Sequence, residues 1–430
     1  MRYFSLNNKD HFSSFEDAVI KGLAPDKGLY FPEDIKKLPD SFFGNLNSMS
    51  KAEIGLKAIE NFVGGEIPKS ELEKIVEHTL DFDFPVVKLE EHVSVLELFH
   101  GPTMAFKDVG ARFMAGSLGY FIKKGNIGKV TVLVATSGDT GGAVANGFLD
   151  VDGIDVVILY PKGKVSEIQE KQLTTLGKNI TALEVDGAFD ECQEMVKRAF
   201  LDDEIQQKRK LTSANSINVA RWLPQMFYYF LAYRQLEQKD RIVFSVPSGN
   251  FGNICAGLMA KEMGLPITHF VAANNANDVV TRYFATEEYE PKPSVQTISN
   301  AMDVGSPSNF VRILELFKND FKDLGNSISS YSFNDEQTKS ALKEVYDKTG
   351  YVMDPHGAVG YLGLQAFLKE NGPYHGVFLE TAHPVKFLET VEAVLGKKIE
   401  LPEDMRELSL KNKKSIEIRD YEELKAFLLN

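Results

Sequence analysis

The sequence predicts an α/β protein with two lobes, each built on a mostly parallel sheet covered by helices, and an N-terminal mostly helical subdomain. Three observations predict it. From about Val93, short β-branched runs alternate with helical stretches, the pattern of parallel strands joined by helical crossovers. The alternation falls into two blocks. The segment before it shows no such alternation. The expected division is an N-terminal subdomain over 1–92, a smaller lobe over 93–236 and a larger lobe over 237–430.

The first segment carries short helical stretches (Phe15 to Lys21, Lys51 to Phe62, Lys69 to His78) between turns such as Ala24-Pro25-Asp26-Lys27-Gly28. Apolar positions Val109, Phe113, Leu118 and Phe121 mark a helix after Lys107-Asp108. Val130 to Ala135 is a continuous apolar and β-branched run, the signature of a strand buried on both faces. A glycine-rich turn and a helix from Ala143 to Leu149 follow it. Asp155 to Tyr160 is the next strand, stopped by Pro161. Ser166 and Gln169 have capping-box spacing and open a helix that runs to Leu176, with Gly177 at its end. Ile180 to Val185 is a strand and Phe189 to Phe200 a helix. Val219 to Gln235 reads as a longer helix whose first turn is set near Pro224.

The second block starts with the strand Ile242 to Val246, a glycine turn and a helix from Ile254 to Met263. Thr268 to Ala273 is another strand. Asn334 and Gln337 open a helix ending near Gly350. Gly376 to Glu380 is a late strand, followed by Thr381-Ala382-His383-Pro384 and a helix to Leu395.

The net charge of −13 opposes general binding of nucleic acid or of an acidic membrane surface. It leaves a small phosphorylated ligand open. Cys192 and Cys255 are too few for a disulfide framework and read as buried structural thiols in a reducing compartment. With no CxxC or Cys/His cluster, no metal site is expected. The N-terminus lacks the apolar core of a signal peptide, and no window is long and apolar enough to span a membrane. The expected location is the cytoplasm. The sequence leaves monomer or homodimer open.

Ligands of open α/β sheets sit beyond the carboxyl ends of strands, so the turns there are the places to search. Ser248-Gly249-Asn250-Phe251-Gly252-Asn253 joins a strand to a helix start, a cradle for phosphate or simply a tight turn. It is neither a Walker loop nor a dinucleotide fingerprint. Thr136-Ser137-Gly138-Asp139-Thr140-Gly141-Gly142 offers hydroxyls and amides together, suited to a carboxylate or phosphate, or again to a bare turn. Lys107 lies at a helix start, where the dipole and apolar flanks lower an amine's pKa; on local grounds alone a solvated surface lysine is the simpler reading. Arg221 with Ser216 and Asn218 forms either a second anion site or a helix cap beside a surface arginine. His100, His356 and His383 read as structural histidines.

Taken together, Glu97-Leu98-Phe99-His100-Gly101-Pro102-Thr103-Met104-Ala105-Phe106-Lys107-Asp108, the two glycine turns and Glu380-Thr381-Ala382-His383-Pro384 resemble the threonine synthase family. Gly22-Leu23-Ala24-Pro25-Asp26-Lys27-Gly28-Leu29-Tyr30 is similar to that family's opening, so the resemblance runs in order along nearly the whole chain. It implies a pyridoxal 5'-phosphate enzyme of the tryptophan-synthase β-like fold (fold type II) that converts O-phospho-L-homoserine and water to L-threonine and phosphate. Carried over by position, Lys107 would form the Schiff base, Gly249, Asn250, Phe251, Gly252 and Asn253 would hold the cofactor phosphate, and Thr381 would bond the pyridine nitrogen. Ser137, Gly138, Asp139 and Thr140 would meet the substrate carboxylate or the cofactor 3′-oxygen. Ser216, Asn218 and Arg221, with Thr103, would hold the substrate phosphate. Asp139 departs from the asparagine common in the wider fold family. An ionised carboxylate beside a substrate carboxylate is unfavourable, which assigns Asp139 to the cofactor oxygen or to structure. A phospho-lyase or dehydratase on the same scaffold is the alternative activity; a non-catalytic binding protein is opposed by the presence of Lys107, both glycine turns and Thr381.

Overall fold

The computed structural model describes residues 1–430. The chain opens with a small antiparallel sheet, β1 (Tyr3–Ser5), β2 (Phe12–Ser13) and β3 (Tyr30–Pro32), in the order β2-β1-β3. Helices Phe15–Lys21, Lys51–Val63 and Lys69–Thr79 surround it. A hairpin follows, β4 (Val86–Glu90) and β5 (Val93–Glu97). The helix Lys107–Gly125 then leads into β6 (Val130–Ala135), β7 (Ile154–Pro161), β8 (Ile180–Val185) and β9 (Lys210–Thr212). The last stretch supplies β10 (Ile242–Pro247), β11 (His269–Asn274), β12 (Ile328–Ser332), β13 (His375–Glu380) and β14 (Ile416–Ile418).

Two larger sheets result, with orders β14-β8-β7-β6-β9 and β12-β11-β10-β13-β5-β4. All neighbours in the first are parallel, and in the second only the β4–β5 hairpin is antiparallel. Sheet membership does not follow the division at residues 93 and 237. β5, placed by chain order with the smaller lobe, pairs with β13 in the larger sheet, Val95 opposite Phe378. Its residues Val93 to Leu96 are all buried and need a neighbour on each side. β14, near the C-terminus, returns to pair with β8 in the smaller sheet. One continuous core joins Phe15 and Ile59 of the N-terminal segment to Phe121, Val132, Trp222 and Phe244, so the N-terminal subdomain packs into both lobes.

The local signals are matched closely. Both capping boxes form: Gln169 N–H donates to Ser166 Oγ at 3.3 Å and Gln337 N–H to Asn334 Oδ1 at 3.0 Å. The stretch Val219 to Gln235 is not one helix. It breaks into Val219–Trp222, a 3-10 turn at Leu223–Met226 and Phe227–Gln235. Pro224 removes a backbone donor and crowds the preceding turn. The helix expected from Ala143 starts earlier, at Asp139, and the one expected from Ile254 starts at Gly252. Both early starts bring helix N-termini into the glycine turns.

Cys192 and Cys255 are buried and unpaired, and burial pushes both thiols up to about 12. No helix is long and apolar enough to cross a membrane.

Candidate active site

Lys107 is the first residue of its helix, in a segment pinned to the end of β13. Phe106 N–H donates to Thr381 O at 2.9 Å, His383 N–H donates to Met104 O at 3.0 Å, and Ala105 bridges Ala382. These bonds fix the lysine backbone to the larger sheet. The Lys107 amine has no hydrogen-bond or ion-pair partner in the protein. Burial lowers it to about 8; Asp139 opposes the drop, and Lys386 and Arg221 add to it. The lysine is therefore not the solvated surface charge that local sequence favoured.

The loop after β10 leaves a row of donors. The amides of Gly249, Asn250, Phe251, Gly252, Asn253 and Ile254 find no acceptor in the protein. Phe251 takes a left-handed conformation (φ 60°) to turn the chain into the helix. A Cβ on Gly249 would stand 2.7 Å from Met302 Cα, so only glycine lets the loop lie against that backbone. Asn250 Oδ1 accepts from Ser308 N–H (3.0 Å) and Oγ–H (2.9 Å), which fastens the loop from behind. Asn253 Oδ1 accepts from the Tyr229 hydroxyl at 2.7 Å, while its buried Nδ2 has no partner. Free amides at a helix start suit a dianionic phosphate.

The turn after β6 is built around Thr136, whose Oγ1 accepts from the N–H groups of Gly138 (3.0 Å) and Gly141 (2.8 Å). Gly138 has φ 138°, and a Cβ there would meet Gln169 at 2.5 Å. The amides and hydroxyls of Ser137 and Thr140 have no protein partner. Asp139 is 5% exposed and ionised. Burial pushes its carboxyl up, but Lys386, Lys107 and the Gln169 hydrogen bond outweigh that and hold it well below its ordinary value. Lys386 Nζ lies 2.7 Å from Asp139 Oδ1 and donates to Thr103 O at 2.8 Å.

Arg221 is 4% exposed, and its buried Nε and Nη1 have no partner; burial lowers its pKa to about 10. An unpaired guanidinium in that position has donors left to offer an anion. Gly252 stands beside Ser216, with a virtual Cβ 3.2 Å from Ser216 Cβ, so the phosphate loop and the Ser216 segment meet.

Two expected ligands have other work. Asn218 Oδ1 accepts from Ala220 N–H (3.0 Å) and its Nδ2 donates to Val19 O (2.8 Å). It caps the helix that presents Arg221, and the cap leaves it no free polar atom. Thr103 is 2% exposed; its hydroxyl and N–H both donate to the Asp108 carboxylate, which ties down the turn before Lys107. Ser216 Oγ accepts from Asn309 Nδ2 at 3.0 Å. Thr381 is 6% exposed and its hydroxyl has no partner in the protein.

Sequence reasoning missed two residues, Lys386 and Arg312. Lys386 lies between Val385 and Phe387, a charge between two apolar residues that signalled burial. Arg312 is fully buried over the Trp222 ring (4.2 Å) and donates to Tyr30 O, Ser216 O, Ile217 O and Asn309 Oδ1. It holds the Ser216 segment to the N-terminal sheet, and nothing local announced it. His356 Nδ1 bonds Asp354 Oδ1 at 2.6 Å and its Nε2 accepts from Ala301 N–H at 3.2 Å, buttressing the backbone that Gly249 touches. His356 is thus structural. His383 Nδ1 accepts from Val385 N–H, and burial lowers its pKa to about 4.

The chain matches the family description "Pyridoxal-phosphate dependent enzyme" over residues 85–377. "Threonine synthase N terminus" matches over 2–80 and "Threonine synthase, C-terminal" over 357–428. It is 46% identical to threonine synthase of Haemophilus influenzae, with 100% of both chains covered. The solved threonine synthase of Escherichia coli superposes with a TM-score of 0.93 at 42% identity over 100% of both chains. A threonine synthase from Brucella melitensis, solved with PLP bound, superposes with a TM-score of 0.92 at 34% identity, covering 100% of this chain and 99% of that one.

Proposed function

The chain belongs to the threonine synthase family of pyridoxal-phosphate-dependent enzymes, and on that premise we propose how its own residues carry out the family's reaction. The reaction converts O-phospho-L-homoserine and water to L-threonine and phosphate, the last step of threonine biosynthesis, by loss of the γ-phosphate and addition of water at the β carbon. When bound, the cofactor supplies an electron sink that stabilises negative charge on the carbons beside the substrate amine.

The residues fit the cofactor. The free amides of Gly249 to Asn253 would hold its phosphate, Lys107 would take its aldehyde, and the unpartnered Thr381 hydroxyl would meet its ring nitrogen. A neutral hydroxyl there does not drive full protonation of the ring as a carboxylate would. Asp139 lies by charge in the same cluster as Lys107 and would serve the cofactor's oxygen side only through its neighbours.

For the substrate, the free amides and hydroxyls of Ser137 and Thr140 would take the carboxylate, with Gly138 turning the chain between them through its N–H bond to Thr136 Oγ1. Arg221, with Ser216 beside it, would hold the phosphate by charge-assisted hydrogen bonds. Lys107 Nζ, uncharged above about pH 8 and free of partners, takes and returns protons at the substrate carbons. Cys192 and Cys255, buried and unpaired, support a cytoplasmic location.

The observation that carries this reading is the Lys107 amine, without a partner in the protein and fixed by its backbone to the end of β13, in a chain whose turn after β10 leaves a row of free amides. The test is incubation with O-phospho-L-homoserine, assaying threonine and phosphate together, with Lys107→Ala as control. Equimolar threonine and phosphate, lost in the variant, is the expected result. Keto acid and ammonia without threonine would replace it with the phospho-lyase reading.

A further inference from the structure

A substrate carboxylate and an ionised aspartate in one turn repel each other, and an aspartate near a lysine tends to capture it as an ion-pair partner. Asp139 threatens both. It is the first residue of the helix after β6, between Gly138 and Thr140, and it lies within the electrostatic reach of Lys107. Lys386 meets it. The Lys386 side chain is 0% exposed, against 4% for Asp139, and the two are 2.7 Å apart. Lys386 Nζ has a second anchor in Thr103 O, which also accepts from Gln172 Nε2 at 3.0 Å. Gln169, whose other amide atom closes its helix's capping box, donates to Asp139 Oδ1 at 2.9 Å. The carboxylate is thus held by two donors from two different elements.

We propose that Lys386 is a positioning residue whose ammonium neutralises Asp139 inside the turn, so that the turn accepts a carboxylate and Lys107 stays free of an ion pair with Asp139. This rests on the reading of Lys107 given above and names a further residue for the same site. The charged groups that face this cluster are few. Lys107 is influenced by Asp139, Lys386 and Arg221, Asp139 by Lys386 and Lys107, and Lys386 also acts on Asp108 and His383.

Charge balance predicts shifts of opposite sign. Lys386→Met leaves Asp139 with Lys107 as its remaining cation, so the Lys107 pKa rises, by about 1 unit or more. Asp139→Asn leaves Lys386 uncompensated, so the Lys107 pKa falls. Asp139→Asn with Lys386→Met removes both charges and returns it toward the wild-type value. A residue that only filled space would not produce this pattern.

The experiment is competitive acetylation of the full-length chain freed of cofactor, across pH, with peptide mapping to read the Lys107 amine. Should Lys386→Met fail to fold, Asp139→Asn and the double variant still decide the sign. An unchanged Lys107 pKa in Asp139→Asn, or a value in the double variant no closer to wild type than in the singles, would overturn the proposal. Borohydride trapping of pyridoxal phosphate at Lys107 is run beside it. Trapping without the pKa pattern removes only the role of Lys386. Trapping elsewhere, or nowhere, removes the reading on which it rests.

Discussion

Gly357 and Glu380 are in such close contact that a Cβ at position 357 would stand 1.6 Å from Glu380 Oε2 and 2.6 Å from its Cδ. Glu380 is fully buried at the end of β13, directly before Thr381, and its Oε1 accepts from Asp354 N–H. The carboxyl therefore has little freedom to swing aside. The tight fit of one glycine holds the strand end that supports the Lys107 segment.

Gly357→Ala is expected to destabilise the fold by about 1–3 kcal/mol or more, as overpacking does in a rigid site. Urea unfolding of the variant measures it. A midpoint equal to wild type would mean that Glu380 relaxes without cost.

Glu380 also predicts a pH effect. Burial, with Asp354 next to it, raises its pKa well above the ordinary carboxylate value. Between the ordinary value and the raised one, the unfolded chain has released a proton that the folded chain keeps, so stability falls as pH rises through that window. Glu380→Gln removes the titration. Its unfolding free energy is expected to show a flatter pH dependence above pH 5 than wild type, and a slope identical to wild type would exclude Glu380 as its source.

Arg221 predicts a trade between activity and stability. Its buried Nε and Nη1 make no bond within the protein, and burial holds its pKa down. Arg221→Met is expected to leave stability unchanged or raised, because an unpaired buried charge is removed. The same change takes charge-assisted bonds from the substrate phosphate, about 1.5–3 kcal/mol, or roughly 10- to 100-fold in kcat/KM. Weaker inhibition by inorganic phosphate is the parallel readout. Retained kcat/KM would move the phosphate site elsewhere.

Asn218 separates a cap from a ligand. Asn218→Ala removes the cap of the helix that carries Arg221, costing about 0.5–2 kcal/mol of stability. Asn218→Ser keeps a capping oxygen and is expected to recover most of that loss together with the affinity for substrate. Serine that restores stability but not KM would return Asn218 to the ligand set.

Much of this was legible in the residues. The strands β6, β10 and β13, both capping boxes and the glycine turns are announced by signals within a few positions of one another: continuous apolar runs, i to i+3 caps, glycines at strand ends. Lys107 was found through its segment's resemblance to a family, since a lysine at a helix start is locally unremarkable. The pairing of β5 with β13, the return of β14 to β8, the cap role of Asn218 and the buried charges of Lys386, Arg312 and Glu380 came only from the folded chain. The reason is distance along the chain. Periodicity and capping act over one or two turns, whereas Lys386 and the Thr103 carbonyl are 283 residues apart, and Arg312 and the Tyr30 carbonyl 282. Whether a charge is solvated or buried against a partner depends on which elements pack together, and that is decided by the tertiary structure alone.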